Sequence, residues 1–332
     1  MTSLDHLLPP ADDTVRCAEH ARSIGVDPGG TAIRADRVVL VAVPAPWPKP
    51  ALGHPLLAEL SGVLAEGPTP TRLLAAAGPG FGPTGDGVPV VVYDRLGGGA
   101  TERRFVVADG DDLATWGRTL VGGDVRAPSE PAMASAALGP WARHDPSPCT
   151  ATPAVLVCTQ GSHDVCCGSE GERFARAAAD DGIDVYRVSH TGGHRFAPTA
   201  LTIPDGRMWA DLDLDLLRRI MGRLGPLDEV TDHCRGWWGA ATGPAQMAER
   251  AVFAHLGWEF GDDDRGVSVI GAEGASDPDR TMVVVEWGDE RWVVDVRVAR
   301  TVPSIACRAP GGLPAKAGRE YVVADVRSEG PR

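Results

Sequence analysis

Apolar positions along the chain alternate between two periods. The continuous run Val38–Val43 predicts a buried strand, and a proline-rich loop, Pro44–Pro50, follows it. Leu56, Leu57, Leu60 and Leu64 recur at helical spacing and predict a helix over Pro55–Ala65. Short strands are predicted at Arg72–Ala76, Val88–Tyr93 and Arg103–Ala108, the last two joined through the Gly97-Gly98-Gly99 turn. The order then returns: a strand at Ala154–Val157, a long loop at Thr159–Gly168 and a helix at Glu172–Asp180. Strands at Val185–Val188, Ala200–Ile203 and Met208–Ala210 follow, with Pro204-Asp205-Gly206 turning between the last two. Asp213 is placed to cap a helix over Leu214–Leu224.

Aligning Val39 with Val155 brings Leu57 to Arg173, inside the second helix. The expected class is therefore α/β, built from two related halves. Beyond Gly225 the pattern changes to one helix, Gln246–Leu256, and strands at Thr281–Glu286, Arg291–Ala299 and Glu320–Val326. Gly288-Asp289 is the tight turn between the first two of these strands. The acidic, glycine-rich stretch Gly261–Arg280 is expected as a flexible loop. The domain reading is a degenerate N-terminal α/β half (1–148), a second α/β half (149–225) and a small α+β region (226–332).

With 332 residues, 43% hydrophobic and 23% charged, the chain has the composition of a globular protein of more than one domain. Its 41 glycines and 28 prolines predict long loops and short strands. A net charge of −13 argues against nucleic acid as a partner, because phosphate binding needs a basic face. An acidic surface can instead steer a basic protein partner, or serve solubility alone. No run reaches the roughly 18 apolar residues of a membrane span. The start, Met1-Thr-Ser-Leu-Asp-His, lacks the basic flank and apolar run of a signal peptide, so a cytoplasmic location is expected. Thiols stay reduced there, and seven cysteines fit metal ligation and spare thiols better than a disulfide framework.

The chemistry is concentrated between Cys158 and Phe196. Cys158 follows a buried strand and Cys167 lies eight intervening residues on. His190 and His194 then bracket Thr191-Gly192-Gly193. Two cysteines and two histidines on loops after separate strands can supply four ligands to one inorganic centre. Of the adjacent thiols only one can comfortably face that centre. Cys167 is favoured because Gly168 behind it permits a close backbone approach, which leaves Cys166 to pack inward as a small hydrophobe. The glycines argue against a helix at 191–193 and let the two imidazoles fold towards one ion. Cys2His2 zinc sites usually space their cysteines two to four residues apart, so the wider spacing favours a larger inorganic core.

The run Leu156-Val-Cys-Thr-Gln-Gly-Ser-His-Asp-Val-Cys-Cys-Gly168, with Ser189-His-Thr-Gly-Gly-His-Arg-Phe-Ala197 and Leu201-Thr-Ile-Pro-Asp-Gly206, resembles the sucrase/ferredoxin-like family. The resemblance is close over Ala154–Leu212 and looser near the start, where Cys17, Gly30-Thr-Ala32 and Pro46-Trp47 also fit. It implies a thioredoxin-like ferredoxin domain of the histidine-ligated branch. In that branch Cys158 and Cys167 would hold one iron of a 2Fe–2S cluster, and His190 and His194 the other. The family carries Arg before the Asp of the first loop. Here His163 stands there, which makes it a further ligand candidate or a supporting loop residue. Neutral imidazoles in place of two thiolates make a cluster easier to reduce. Rieske centres lie at about −150 to +300 mV, against about −400 mV for four-cysteine plant-type clusters. Exposed imidazole ligands would also make the potential fall as pH rises.

The function expected is electron transfer or redox sensing with an unidentified redox protein partner, a reductase or an electron acceptor. The alternatives are a zinc-stabilised Cys2His2 binding protein and a thiol oxidoreductase using Cys166 and Cys167. The second is disfavoured because neighbouring cysteines form a strained disulfide. No pair of Asp or Glu stands out for sugar hydrolysis. Arg195 is read as offsetting cluster charge, meeting an acidic partner or forming a salt bridge on its loop. Asp164 is read as holding the first loop through backbone amides. Gly80-Phe-Gly82-Pro-Thr-Gly85 matches the dinucleotide fingerprint, but a strand rather than a helix is expected after it. Cys17, Cys149 and Cys307 have no partner at ligand spacing and are read as packed or free thiols. Cys234 and Trp237-Trp238 are read as domain packing.

Overall fold

Helix α1 (Cys17–Ser23) precedes the first strand, β1 (Arg37–Ala42), in a computed structural model that describes residues 4–83, 87–108, 112–122, 149–261, 264–270 and 277–331. Helix α2 (Pro55–Ala65) follows, then β2 (Thr71–Ala77), β3 (Val88–Leu96), β4 (Gly99–Val107) and α3 (Asp112–Val121). Leu57, Leu60 and Leu64 of α2 are buried, as their spacing requires, and each contributes roughly 1.5–3 kcal/mol. Pro55 opens the helix where a missing N–H costs nothing, and the His54 ring accepts from Leu56 N–H at 3.3 Å. The second half contains β5 (Cys149–Thr150), β6 (Ala154–Cys158), α4 (Glu172–Asp180) and β7 (Val185–Val188). It continues with β8 (Ala200–Ile203), β9 (Arg207–Trp209) and α5 (Leu214–Gly222).

The class is α/β, and one ten-stranded mixed sheet, in which β10 is Cys234–Trp237, runs β10-β9-β8-β6-β7-β2-β1-β3-β4-β5. Within it β1 pairs parallel with β2 and antiparallel with β3. In the same way, β6 pairs parallel with β7 and antiparallel with β8. The two units meet where β2 and β7 pair antiparallel, so strand order reads outward symmetrically from that seam. All five residues of β6 are buried, as are Val38–Ala42 in β1. Strands covered on both faces lose the alternating pattern and read as apolar runs.

Helix α6 (Asp228–Thr231) leads to β10 (Cys234–Trp237), which extends the large sheet beyond β9. Helix α7 (Gly243–Leu256) then packs on a four-stranded antiparallel sheet. That sheet is formed by β11 (Arg265–Ile270), β12 (Arg280–Trp287), β13 (Glu290–Ser304) and β14 (Lys316–Pro331). Two expectations are corrected here. The stretch 261–280 carries β11, and 262–263 and 271–276 lie outside the described residues. Strands are not uniformly short, since β13 and β14 run for 15 and 16 residues. After Gly80-Phe-Gly82 the chain enters β3, as expected, although residues 84–86 lie outside the described set. No helix among the described residues is long and apolar enough to cross a membrane.

A buried charge network links the two sheets. Glu249 on α7 accepts from both terminal nitrogens of Arg207, at 2.7 and 2.9 Å, and lies 2.9 Å from Arg265 Nε. All three side chains are at most 1% exposed, and the guanidinium groups lie over Phe253 and Trp237 at 3.6 and 4.2 Å. Removing the carboxylate charge leaves buried cations uncompensated. Glu249→Gln is therefore expected to lose about 3–5 kcal/mol in urea unfolding. Breaking the exposed Arg218–Asp181 pair by Arg218→Gln should leave the urea midpoint nearly unchanged, because solvent screens both charges.

Candidate metal centre

Cys158 is the last residue of β6 and is fully buried. The chain after it is closed by Asp164, whose Oδ1 accepts from Cys166 N–H at 2.8 Å and whose backbone carbonyl accepts from Gly168 N–H at 3.1 Å. A π-helical turn, Cys167–Gly171, then leads into α4. The loop folds back on the strand end so tightly that a Cβ on Gly168 would lie 2.4 Å from Gly161 Cα. One on Gly171 would lie 2.1 Å from the Cys158 carbonyl oxygen. That closure brings the turn carrying Cys167 against the end of β6.

The second loop leaves β7 beside the first. His190 N–H donates to Gln160 Oε1 at 2.9 Å, and Gln160 Nε2 donates to the Pro48 carbonyl at 2.6 Å. Ser162 Oγ donates to the Trp47 carbonyl at 2.7 Å, so the proline-rich loop of the first half braces the thiol loop of the second. Gly192 and Gly193 take φ of +80° and +70°. A Cβ on Gly193 would sit 2.4 Å from Arg235 Cζ, so this bend requires glycine. A 3-10 turn over His194–Phe196 follows.

The four expected ligands are placed unequally. Cys167 and His190 both lie close enough to Cys158 to favour its thiolate, and His190 Nδ1 is buried with no partner among the described residues. The His194 ring centroid is 6.1 Å from that of His190. Its Nδ1 lies 3.0 Å from Asp164 Oδ2 and 3.3 Å from Cys17 Sγ. A donor hydrogen on Nδ1 towards the carboxylate leaves Nε2 as the free ligand atom, a common device of metal-binding histidines. His163 stacks on His190 with centroids 3.6 Å apart. Burial, with His190, Lys49 and His194 nearby, pushes its pKa down to about 4.

Charge in the pocket favours one thiolate. The hydrogen bond from Cys167 holds Cys158 well below the usual cysteine range, with further donation from His190 and the amides of Thr191 and Gln160, against burial. Cys167 is raised correspondingly, by that bond and by burial. Arg235, fully buried on β10, donates to the Gly192 carbonyl at 3.2 Å and to Thr31 Oγ1 at 3.1 Å. Burial pushes its pKa down to about 10, while the negative charge of Cys158 and Cys167 opposes that fall. Arg72 donates to the His190 carbonyl.

The adjacent cysteines point to different partners. Cys166 packs inward, as expected, but with other thiols among its neighbours. Its Sγ lies 3.7 Å from Cys17 Sγ and 3.5 Å from Cys307 Sγ. Cys17 and Cys307 are free, packed thiols, as expected, and lie beside it. Cys17 Sγ also donates to Asp164, 3.4 Å from each carboxylate oxygen. The bond from Cys17, aided by the Ala18 amide and Cys307, pushes Cys166 down to about 7 against burial, while Cys17 itself is raised. The Cys149 side chain lies outside the described residues. Arg195 is only 8% exposed, stands over Phe196 at 4.8 Å and lies against Gly318 of β14. It is thus covered rather than presented to an acidic partner.

Residues 28–241 match the model of the family described as Sucrase/ferredoxin-like. The chain belongs to that family. The match takes in both halves of the large sheet, and with them Cys158, Cys167, His190 and His194. No curated protein and no solved structure matches the chain. Cys17 and Cys307 fall outside the matched span of this sucrase/ferredoxin-like protein, yet both reach its thiol loop. Arg235 and Arg72 hold the histidine loop through the carbonyls of Gly192 and His190 and were not visible in the sequence as residues of this region. Each is brought in by strand pairing rather than by a motif. Cys234, Trp237 and Trp238 are buried, Cys234 and Trp237 on β10 and Trp238 just after it, as the packing reading expected.

Proposed function

We propose that this protein transfers or senses single electrons through a 2Fe–2S cluster held by Cys158, Cys167, His190 and His194. Cys158 and Cys167 would serve one iron, and His190 and His194 the other. The observation that carries the reading is His190 Nδ1, buried without a partner among the described residues, on the loop that lies beside the loop of the buried thiols Cys158 and Cys167. Soft thiolate and imidazole donors suit iron–sulfur chemistry. The cluster would supply a one-electron acceptor. Around it, Asp164 would orient the His194 ring, and Arg235 would lower the cost of negative charge on the thiolates.

In the same reading, residues 149–225 form a thioredoxin-like ferredoxin domain, residues 1–148 its degenerate counterpart and 226–332 an appended region. The setting is cytoplasmic, and the acidic chain, at −13, is steered to a basic redox partner. A thiol oxidoreductase using Cys166 with Cys167 is weakened by their pointing to different partners. Iron and acid-labile sulfide in the purified protein test the proposal. Two of each per chain, with visible absorption, are expected. Colourless protein that stays colourless after anaerobic reconstitution with iron and sulfide would reject it.

A further inference from the structure

Four donor atoms from three distant parts of the chain converge beside the cluster loop. Cys17 comes from α1, Asp164 and Cys166 from the loop after β6, and Cys307 from the segment between β13 and β14. One ligand atom from each lies within 4.8 Å of all the others, and only Cys307 is partly exposed. Deprotonated together in a buried site, three thiols and a carboxylate would repel one another. A bound cation offsets that repulsion.

We propose that Cys17, Asp164, Cys166 and Cys307 form a second metal site that takes one thiophilic divalent ion, zinc(II). The assignment goes beyond the proposed cluster and does not depend on it. A tetrahedron with arms of about 2.3 Å, the zinc–thiolate distance, has edges of about 3.8 Å. The Cys17–Cys166 and Cys166–Cys307 edges are 3.7 and 3.5 Å, the Cys17–Asp164 edge is 3.4 Å, and the remaining edges are within 4.8 Å. Four protein ligands leave no open position, which marks a structural rather than a catalytic ion. Binding would release the thiol protons to solvent. Arg16 and Arg22 lie close enough to Cys166, and Arg195 to Cys17, to offset the resulting negative charge. The ion would tie α1 and the segment after β13 to the loop that carries the cluster ligands. Asp164 would then touch both sites, through one oxygen to His194 and through the other to the Cys166 amide.

The test measures zinc and iron together in the purified full chain, in Cys17→Ser and Cys307→Ser variants, and in Cys307→His, which keeps a ligand. The wild type should hold one zinc per chain. Each serine variant should hold at least about tenfold less at the same free zinc, with iron and visible absorption retained, and Cys307→His should recover the zinc. If Cys17→Ser fails to fold, the partly exposed Cys307 decides. Wild type that takes up no zinc chloride under reducing conditions would overturn the site. So would zinc unchanged in Cys307→Ser, or a Cys166–Cys307 disulfide in zinc-loaded protein. Loss of iron with zinc retained would make Cys17 and Cys307 cluster ligands and also overturn it. Iron absent from every variant while zinc follows the thiols would instead sink the cluster and leave this site standing.

Discussion

Cys158→Ser is expected to yield folded protein with at least about tenfold less iron and no visible absorption. Cys158 ends a wholly buried strand and is the thiol most strongly held as thiolate, through Cys167, His190 and two backbone amides. A serine hydroxyl offers no comparable soft donor, and losing even a residue that only supports a ligand commonly costs 10–100-fold in metal affinity. Cys167→Ser should behave in the same way. Cys166→Ser should keep its iron, because that side chain faces Cys17 and Cys307 instead. Metal analysis of the three variants separates the adjacent thiols. Iron lost from Cys166→Ser but kept in Cys167→Ser would reverse the assignment.

His190→Cys and His194→Cys should each lower the reduction potential, by on the order of 100–300 mV. The estimate is roughly half the interval between Rieske and four-cysteine plant-type clusters, since one imidazole is exchanged for one thiolate. Protein-film voltammetry would read the shift. The sign follows from charge: each added thiolate makes the cluster more negative and reduction harder. His194 should also show the larger dependence on its neighbour. With Asp164→Asn the Nδ1 loses a carboxylate acceptor, and the ring loses the partner that orients it. Potentials unchanged in both cysteine variants would mean that neither histidine is a ligand.

Much of the fold could be read in the chain because its strands are covered on both faces. Val38–Val43 and Ala154–Val157 announce themselves as apolar runs, and α2 and α4 match their predicted bounds. The elements that escaped lack periodicity. Helix α1 reads Cys-Ala-Glu-His-Ala-Arg-Ser and buries only small or polar side chains, and β11 buries one residue of six. The repeated order gave the α/β class, while pairing across the β2–β7 seam depends on backbone edges that leave no pattern in side chains.

The site divides along the same line. Cys158, Cys167, His190 and His194 share short loops, so their spacing exposes them. Cys17 and Cys307 reach Cys166 from 149 and 141 residues away, a distance at which spacing carries no information. The Cys-Cys pair was the available signal: two adjacent side chains on a helical turn diverge, and each then needs its own surroundings. For Arg235, a buried cation on β10, only the sheet topology explains its presence behind the glycine loop.

The most direct test of ligation by two cysteines and two histidines is electron paramagnetic resonance on dithionite-reduced protein labelled with nitrogen-15 histidine. The proposal predicts a rhombic signal of low average g, about one spin per chain, with hyperfine coupling to two histidine nitrogens that falls to one in His190→Cys or His194→Cys. A signal without nitrogen coupling, or no signal from iron-loaded protein, would contradict it.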